Sequence, residues 1–389
     1  MAELSNWVFW SAVAMLCYVY GGFTLLVAVY GRLRNRPVHK RAITPHLSLI
    51  VAAHNEERCI RQKIDNCLTL DYPPEALEVI IASDGSEDAT EAIVSAHDDP
   101  RVFLLAYPRR GKIHALNDSV PRAAGEILVF SDANTLLDTQ ALKKLAANFA
   151  DPEVGGVCGN QGYRARAGSD SSGAGERLYW SFDKWLKKQQ TRCGSIVAAD
   201  GALYAVRREL YQPPTTASVT DDFAISTGVV ARRKRLVFED EALAWEPETA
   251  SATLEFRRKV RIVVRGLRGV LMRRALLNPF RYGFYSVVLF SHKVLRRVAP
   301  LFLIAALISS AVLAHDSTWF RLACGVQLGF YVLAGLGYLT RAHRAGRSKL
   351  LYAPFHYCLL NAAALVALAK VARGVRIERW EPERGRAVG

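Results

Sequence analysis

The sequence predicts an α/β domain with a mostly parallel sheet, flanked by hydrophobic helices that are long enough to cross a membrane. Two observations lead to this prediction. Between residues 47 and 130 the chain alternates short aliphatic runs with amphipathic stretches, which is typical of parallel strands joined by helical crossovers. Apolar runs near both ends bracket this polar part, and the 51% hydrophobic content averages the two kinds of segment.

Buried strands are predicted at Leu47–Ala53, Glu78–Ser83, Val102–Ala106 and Ile127–Phe130. Helices are predicted between them at Asn55–Leu70, Asp88–His97 and Lys112–Ala124. The glycine- and serine-rich stretch Ala167–Gly175 is expected to form a loop that can cover a site. The predicted organisation is an N-terminal span and basic flank (1–40), a polar domain (41–250), amphipathic interface helices (251–297) and C-terminal spans with a basic tail (298–389).

Four hydrophobic segments are predicted to span a membrane: Trp7–Tyr30, Val298–Ala314, Trp319–Thr340 and Leu350–Ala372. A cleaved signal peptide is the alternative for the first, but its basic residues follow the apolar run instead of preceding it. The basic cluster Arg32–Arg41 places the polar domain in the cytoplasm by the positive-inside rule. Four spans would leave the basic tail Arg373–Arg386 outside, against the same rule. Either the last segment is re-entrant or the count is off by one.

The net charge of +15 is concentrated beside the predicted spans, and twelve lysines and arginines fall within residues 257–297. This predicts amphipathic helices that lie on anionic lipid headgroups, with a solvated charged face as the alternative. No nucleic-acid-binding module is recognisable, so nucleic acid is not an expected partner.

Missing motifs exclude several kinds of site. The first strand opens into A-A-H-N-E-E, not G-x-G-x-x-G, and there is no P-loop. The seven cysteines occur singly without a C-x-x-C pair, so neither a zinc site nor a disulfide framework is predicted. Phosphates are therefore expected to bind a lysine and a divalent cation, Mg²⁺ or Mn²⁺, held by carboxylates.

Two acidic clusters follow predicted strands, at the edge where open α/β sheets bind ligands. Asp84, in S-D-G-S, can accept hydrogen bonds from a base or a ribose, and a simple turn or cap is the alternative. Asp132 and Asn134, in S-D-A-N, can converge on one metal ion that bridges a diphosphate. An Asx turn is the alternative for this pair.

A third cluster, T-D-D at residues 220–222, precedes a helical pattern. Thr220 and Asp221 can supply capping for this helix, and one of the two carboxylates can cap while the other faces the pocket as a general base for a sugar hydroxyl. Capping alone is the alternative. Two adjacent acids repel each other when they are desolvated, so at least one is expected to have a raised pKa.

Basic residues complete the candidate site. Lys112, which follows a glycine, can place its charge on a diphosphate or near the acids, and a solvated lysine is the alternative. Arg258 and Arg261 lie three residues apart on a predicted helix and can reach the same anionic group. Headgroup binding is an equal alternative for both arginines.

Six segments occur in a characteristic order: V-A-A-H-N-E-E, A-S-D-G-S-E-D-A-T, G-K-I-H-A-L-N, S-D-A-N-T, A-A-D-G-A-L-Y-A-V-R-R and T-D-D. In this order they resemble the membrane-integrated family 2 glycosyltransferases, which include the cellulose, hyaluronan and poly-N-acetylglucosamine synthases. The resemblance covers about His46 to Leu267. Each motif is short, but together they are specific.

The resemblance implies a GT-A fold and an inverting single displacement from a nucleotide sugar, expected to be a UDP-sugar. On the donor side it matches Asp84 with the acid that binds the base and Lys112 with the lysine near the diphosphate. It also matches Asp132 with the first acid of the D-x-D motif. The expected donor-binding residues are Asp84, Lys112, Asp132, Asn134, Arg258 and Arg261, with Asp132 and Asn134 as metal ligands.

On the acceptor side, the resemblance matches Asp222 with the final acid of the T-E-D motif, the base that deprotonates the acceptor hydroxyl. Asp200 and Gly201 match a segment near the acceptor, and Asp221 is expected to lie beside them.

The sequence departs from the family pattern at two places. Asn134 stands where the second acid of D-x-D usually lies, which weakens metal coordination there. The Q-x-x-R-W pattern of processive synthases is present only as Arg258–Ile262, without the glutamine or the tryptophan that stacks on an acceptor sugar. Trp180, Trp185 or Trp245 are the candidates to replace that tryptophan.

The predicted function is sugar transfer to a glycan or lipid-linked acceptor in polysaccharide assembly, at a bacterial-type inner membrane with the catalytic domain in the cytoplasm. The expected partners are the nucleotide sugar, the acceptor and membrane lipids, and the oligomeric state is not predicted. A processive polysaccharide synthase with its own translocation path is the first alternative. A membrane-anchored binding or sensor protein with a degenerate transferase domain is the second.

Overall fold

The computed structural model describes residues 2–164, 173–247, 252–341 and 348–377. Its strands are β1 Leu47–Ala53, β2 Leu77–Asp84, β3 Val102–Tyr107, β4 Ile127–Asp132, β5 Leu136–Leu137, β6 Val154–Arg164, β7 Tyr204–Arg207 and β8 Arg235–Pro247. They form one sheet in the order β3-β2-β1-β4-β7-β6-β8-β5. The first four strands are parallel, whereas β7 runs antiparallel to both β4 and β6.

All four predicted strands are confirmed, and β2 and β4 continue to the acids that were expected just beyond them. Strand β1 lies between these two strands, with Ala53 opposite Ser83 and Ala52 opposite Asp132. Because adjacent strands are about 4.8 Å apart, Asp84 and Asp132 end two strands that are separated by roughly 10 Å. Both acids therefore lie at one edge of the sheet.

The α-helices are α1 Ala2–Cys17, α2 Phe23–Arg34, α3 Ile60–Leu68, α4 Thr90–Ser95, α5 Lys112–Ser119, α6 Ala141–Ala147, α7 Gly173–Cys193, α8 Asp221–Ala231, α9 Ala252–Met272, α10 Pro279–Tyr282, α11 Phe284–Leu289, α12 Arg296–Leu313, α13 Thr318–Leu339 and α14 Lys349–Ala372. The three predicted crossover helices are present but shorter than expected. The predicted loop Ala167–Gly175 falls largely on residues 165–172, which lie outside the described residues, and Gly173 begins α7.

The late start of α3 has a physical cause. Asn55 has a positive φ of 54°, which is incompatible with a helix. The next two backbone N–H groups are used by the loop after β2, since Glu56 donates to Thr90 Oγ1 (2.7 Å) and Glu57 donates to Asp88 Oδ2 (3.1 Å). These bonds hold together two loops at the carboxyl edge of the sheet.

Hydrophobic cores cover both faces of the sheet. Alternate residues of β1 and β2 point to opposite faces, so Ile50 and Ile80 belong to one core and Val51 and Ile81 to the other. The core that contains Ile50 also includes Phe23 and Val27 of α2 and Val288 and Leu289 of α11. The polar domain therefore packs directly on the first predicted membrane segment and on α11.

Four helices are long and apolar enough to cross a membrane: Ala2–Arg34, Phe284–Leu313, Thr318–Leu339 and Lys349–Ala372. They correspond to the four predicted spans. The second reaches back to Phe284 instead of beginning at Val298, so Lys293 and Arg296 lie within it. The sequence predicts an interface segment for these charged residues, but α11 and α12 form one continuous helix through a π-helical turn at Phe290–Leu295.

Helix α9 connects the polar domain to the last apolar helix. Val260, Val264 and Leu267 pack against Ala363 and Ala367 of α14. Arg268 Nε also donates a hydrogen bond to the carbonyl of Val375, just beyond α14 (2.9 Å). The carboxyl end of α14 therefore lies beside the interface helix. Most of the predicted basic tail, from residue 378 onwards, lies outside the described residues, as does most of the loop Arg341–Lys349.

Candidate active site

Asp84 anchors the loop that precedes α5. Its side chain is 1% exposed, and its carboxylate accepts hydrogen bonds from the backbone N–H groups of Arg110 (2.8 Å) and Gly111 (2.8 Å). The guanidinium of Arg109 donates to the other carboxylate oxygen (3.1 Å). The structure thus gives Asp84 the loop-binding role that was its alternative, and contact with a nucleotide base stays a prediction.

Two glycines make this loop possible. Gly85 has φ +60°, and a Cβ there would lie 2.7 Å from the backbone nitrogen of Arg109, which is too close for any side chain. Gly111 has φ +102°, a conformation that favours glycine, and it is the residue before α5. The loop therefore delivers Lys112 to the carboxyl edge of the sheet.

Lys112 is the centre of the candidate site. Its ammonium forms ion pairs with Asp132 Oδ1 at 2.6 Å and with Asp221 Oδ2 at 2.8 Å. Burial alone would lower the pKa of Lys112, but the two carboxylates raise it, so the lysine stays charged. One cation thus joins the strand-end acid on the expected donor side to the T-D-D cluster on the acceptor side.

The T-D-D acids have opposite electrostatic environments. Burial would raise the pKa of Asp221, but the ion pair with Lys112 lowers it below its usual value. The pKa of Asp222 is raised to about 6, first by burial and then by the negative charge of Asp221. Asp222 accepts a hydrogen bond from the backbone N–H of Phe223 (2.6 Å). A carboxylate with this pKa is suited to general base catalysis near neutral pH.

Helix α8 is not capped by Thr220 and Asp221, the two residues for which capping was predicted. Thr220 occupies the N-cap position, but its side chain makes no capping hydrogen bond. Asp221, the other expected cap, is paired with Lys112. Both acids still lie in the first turn of α8, where the helix dipole stabilises negative charge.

The Asp200–Gly201 segment lies against the donor-side acid. A Cβ on Gly201 would be 3.4 Å from Asp132 Oδ2, so glycine leaves space beside that carboxylate. Asp200 forms an ion pair with Lys187, which also pairs with Asp183 one turn away on α7 (2.8 Å). Burial opposes the charge of Lys187, but Asp200 and its other acidic neighbours raise its pKa.

The donor set around Asp132 suits a hard divalent cation. Asp132 is partly exposed at the end of β4, and Asn134 follows it in a turn with its side chain partly exposed. Mg²⁺ and Mn²⁺ commonly bind one or two protein oxygens together with substrate phosphates. Within the described residues, no three His, Cys, Asp or Glu side chains converge on a possible metal position. Any metal bound here would thus take its remaining ligands from substrate or water.

Glu246, on β8, is a further acid near Asp132 that sequence analysis missed. Thr135 Oγ1 donates to it at 3.4 Å and Gln161 Nε2 at 2.8 Å. Its pKa is raised to about 7 by burial and then by the charge of Asp132. A lone glutamate in a strand has no motif that distinguishes it.

Helix α9 presents three arginines at intervals of three and four residues. Arg258 and Arg261 are partly exposed, as expected for residues that share one face, and Arg258 interacts electrostatically with Glu246. The third, Arg265, is buried, and its Nε donates to the carbonyl of Val219 (3.0 Å) just before the T-D-D cluster. Arg265 is not among the predicted site residues, although its spacing from Arg261 places it on the same helix face.

The candidate replacements for the missing stacking tryptophan occupy different places. Trp185 is 39% exposed on α7 and stacks on Phe182, with ring centroids 6.1 Å apart. Trp245 covers Gly162, where a Cβ would lie 2.7 Å from the indole ring. The side chain of Trp180 lies outside the described residues.

Residues 48–213 match the model of glycosyl transferase family 2. This segment is a family 2 glycosyltransferase domain. It includes Asp84, Lys112, Asp132 and Asp200, but the T-D-D cluster and α9 lie beyond the matched residues. The roles of Asp222 and the arginines therefore depend on the geometry of the site.

The glycosyltransferase domain has related sequences with established names. The poly-beta-1,6-N-acetyl-D-glucosamine synthase of Staphylococcus aureus (strain COL) is 29% identical over 212 residues, which are 52% of this chain and 50% of the relative. The synthase of the same name from Staphylococcus epidermidis is 29% identical over 214 residues, with the same coverage. The chain thus spans about half the length of these curated relatives.

A solved structure establishes the fold over almost the whole chain. The mannosyltransferase PcManGT from Pyrobaculum calidifontis, solved in complex with GDP-Man and Mn²⁺, aligns with a TM-score of 0.67 at 21% identity. The alignment covers 93% of this chain and 98% of that one. The glycosyltransferase domain therefore has the expected GT-A fold, with a mostly parallel sheet.

Proposed function

We propose that this protein is an inverting glycosyltransferase that moves a sugar from a nucleotide sugar to a glycan or lipid-linked acceptor at a membrane, in polysaccharide assembly. The observation that carries the proposal is the position of Lys112 between Asp132 and Asp221. The pairing brings the end of β4 and the first turn of α8 to one point, with Asp222 as the next residue. Donor and acceptor groups can therefore meet there.

The proposed chemistry is a single displacement. The acceptor hydroxyl transfers its proton to Asp222 as its oxygen bonds to the anomeric carbon of the sugar. The bond between that carbon and the diphosphate oxygen breaks, and the nucleoside diphosphate leaves with the electron pair. Lys112 stabilises the negative charge that develops on the leaving group, because it is held charged at the site. Asp222, with a pKa of about 6, is largely ionised at neutral pH and can accept the proton.

A divalent metal ion fits this site and would supply additional charge neutralisation for the diphosphate. Asp132 and Asn134 would hold it, and the structural relative was solved with Mn²⁺. Because Lys112 is paired with the same Asp132 carboxylate, this lysine would neutralise part of the diphosphate charge alongside the metal ion. We expect Mn²⁺ or Mg²⁺ to improve donor affinity.

The named relatives support more than one donor. The sequence relatives are named as N-acetylglucosamine polymer synthases, and the structural relative was solved with GDP-Man. The direct test is release of nucleoside diphosphate from a panel of UDP- and GDP-sugars by the purified full chain, with and without Mn²⁺ or Mg²⁺. Release from one sugar supports the proposal, whereas no release from any donor would favour a non-catalytic binding protein.

The names of the sequence relatives also favour a second candidate, a processive synthase. The altered segment Arg258–Ile262 argues for short or single addition, because it lacks the aromatic platform of processive synthases. Sizing the radiolabelled product on a gel separates the two. A ladder of long chains would support the synthase, and a single shifted band would support single transfer.

We further propose that the glycosyltransferase domain and the C-terminal tail lie on the same, cytoplasmic side of the membrane. Support comes from Ala363 and Ala367, which pack on α9, and from the Arg268–Val375 hydrogen bond. In this arrangement α14 does not cross the membrane completely, which removes the conflict with the positive-inside rule. In a cysteine-free background, Val375→Cys should resist a membrane-impermeant maleimide added to intact cells. Labelling as fast as that of Ser317→Cys, between α12 and α13, would contradict the proposal.

A further inference from the structure

A small cavity of about 150 Å³ lies between the first apolar helix, α7 and the helix formed by α11 and α12. Two of the helices that line it contain a π-helical turn next to the cavity, at Tyr18–Gly22 and at Phe290–Leu295. The hydroxyls of Tyr18 and Ser291 join the two turns at 2.8 Å. π-Helical turns within α-helices are frequent at functional sites, and a cavity of this size can hold a ligand as large as benzene.

The lining of this cavity suits an anion. Arg296 and His292 line it together with the polar residues Tyr20, Thr24 and Ser291. The hydroxyls of Ser291 and Tyr20 are hydrogen-bonded to those of Tyr18 and Tyr357. The Nδ1 atom of His292 is buried without a hydrogen-bond partner. Over the described part of the chain, no carboxylate lies within ion-pair distance of Arg296. Ionisable residues within a membrane segment are costly unless they have a partner or a function.

An apolar groove begins next to this cavity. It has a volume of about 760 Å³ and lies between α12, α13 and α14, where Leu322, Val326 and Phe330 line it. Tyr357 lines the groove and Tyr20 lines the small cavity, and their hydroxyls are hydrogen-bonded at 2.9 Å. One pair of side chains therefore separates the cavity lined by Arg296 and His292 from a space that suits a hydrocarbon chain.

The same π-helical turn also reaches the candidate base. Lys293, the residue after His292, lies over the ring of Phe223, with its Nζ 5.8 Å from the ring centroid. It interacts electrostatically with Asp222, the neighbour of Phe223. The turn at Phe290–Leu295 thus presents one residue to the cavity and the next to the acceptor side of the site.

We propose that the acceptor is a lipid phosphate, with its hydrocarbon chain in the apolar groove, its phosphate against Arg296 and His292, and the sugar it carries directed toward Asp222. This inference rests on the proposed function and specifies the acceptor class. Phosphate matches the arginine and the unpartnered imidazole when Nδ1 carries its proton. The groove and the tyrosine pair explain how a long chain and a charged group bind next to each other.

The test is binding to the full chain in lipid nanodiscs. The probes are a long-chain polyisoprenyl monophosphate, the corresponding polyisoprenyl alcohol, phosphatidylglycerol and inorganic phosphate. Arg296→Gln removes the cavity cation, and Arg281→Gln is the matched control, because Arg281 lies in the same basic segment but does not line the cavity. Val326→Trp fills the groove without changing charge, and Val326 is 73% exposed, so the fold should tolerate it.

The polyisoprenyl phosphate should bind at least tenfold more tightly than the alcohol or phosphatidylglycerol. Arg296→Gln should weaken it by about tenfold or more, as expected for losing a hydrogen-bonded charge, and Arg281→Gln should not. Val326→Trp should weaken the long-chain phosphate and leave inorganic phosphate unaffected. Equal binding of phosphatidylglycerol, or undiminished binding by Arg296→Gln, would overturn the proposal.

Donor-side measurements keep this inference separate from the proposed function. Nucleotide-sugar binding should be the same in Arg296→Gln as in the parent protein, because the cavity lies outside the Lys112–Asp132 network. If no nucleotide sugar binds the parent protein, the proposed function fails. If donors bind but lipid phosphate does not, only the acceptor assignment fails.

Discussion

Replacing Asp222 by asparagine should stop sugar transfer and, above about pH 6, make the protein more stable. Asparagine has nearly the same shape but cannot accept a proton as a base or carry the charge that Asp221 repels. Loss of a general base typically lowers the rate by about 10²–10⁴-fold. Donor binding should change little, because Lys112 and Asp132 remain in place.

The stability effect follows from the pKa. Asp222 titrates at about 6 in the folded protein, against an ordinary value of 3.8. The folded state therefore holds the proton more tightly than the unfolded state, so the wild-type protein loses stability as pH rises from about 4 to 6. The difference corresponds to at most about 3 kcal/mol at pH 7. Asp222→Asn avoids this loss, and part of the gain is offset by the weaker hydrogen bond from Phe223.

Two assays test this prediction together. Nucleoside diphosphate release with acceptor gives the rate, and thermal unfolding in detergent between pH 4.5 and 8 gives the stability. Asp71→Asn is the matched control, because Asp71 is a surface acid paired with Lys143 (2.5 Å), so this variant should keep full transfer activity. Transfer at the wild-type rate by Asp222→Asn would remove Asp222 from the base role. A variant less stable than wild type at pH 8 would refute the assignment of a raised pKa.

Three further substitutions test the rest of the site. Lys112→Met should abolish transfer and destabilise the fold by about 3 kcal/mol at pH 7, because Asp221 is left buried without its ion-pair partner. Thermal unfolding should show that part of the lost stability returns at pH 5, where Asp221 can be protonated. Arg265→Met should lower kcat more than donor affinity, because the loop before the T-D-D cluster loses the hydrogen bond from Arg265 to the carbonyl of Val219. Steady-state kinetics with a donor titration test this, and a change in KM alone would contradict it. Gly201→Val should weaken Mn²⁺-dependent donor binding by roughly tenfold, because the new side chain crowds Asp132. Calorimetry measures the donor affinity, and the control Gly325→Val, in open space on α13, should bind the donor as tightly as the wild-type protein.

Much of the fold was predictable because it depends on local patterns. Strand β1 was predicted residue for residue, since all seven of its residues are buried and all except Ser48 are apolar. The four helices that are long and apolar enough to cross a membrane follow from length and hydropathy alone. Helix starts were less accurate, because the bonds of Glu56 and Glu57 to a distant loop are not visible in the local sequence.

In the candidate site, the positions of the acids were predictable from the sequence but their roles were not. The acids Asp84, Asp132 and Asp222 could be located from the sequence, since two of them follow predicted strands and the third lies in the first turn of a predicted helix. Their individual roles could not. The carboxylate of Asp84 is held within the loop that positions Lys112, and Thr220 makes no capping bond. Arg265 and Glu246 contribute to the site without any motif that would identify them.

The sequence by itself determined the order of the apolar strands, the four long apolar helices and the family of the domain, because periodicity and short motifs are local properties. Only the tertiary structure decided that Lys112 pairs with both Asp132 and Asp221, and that Asp222 is left with the raised pKa. The physical reason is that a pKa depends on burial and on charges brought close by distant parts of the chain. The same holds for the cavity at His292, which exists only where three separate helices meet.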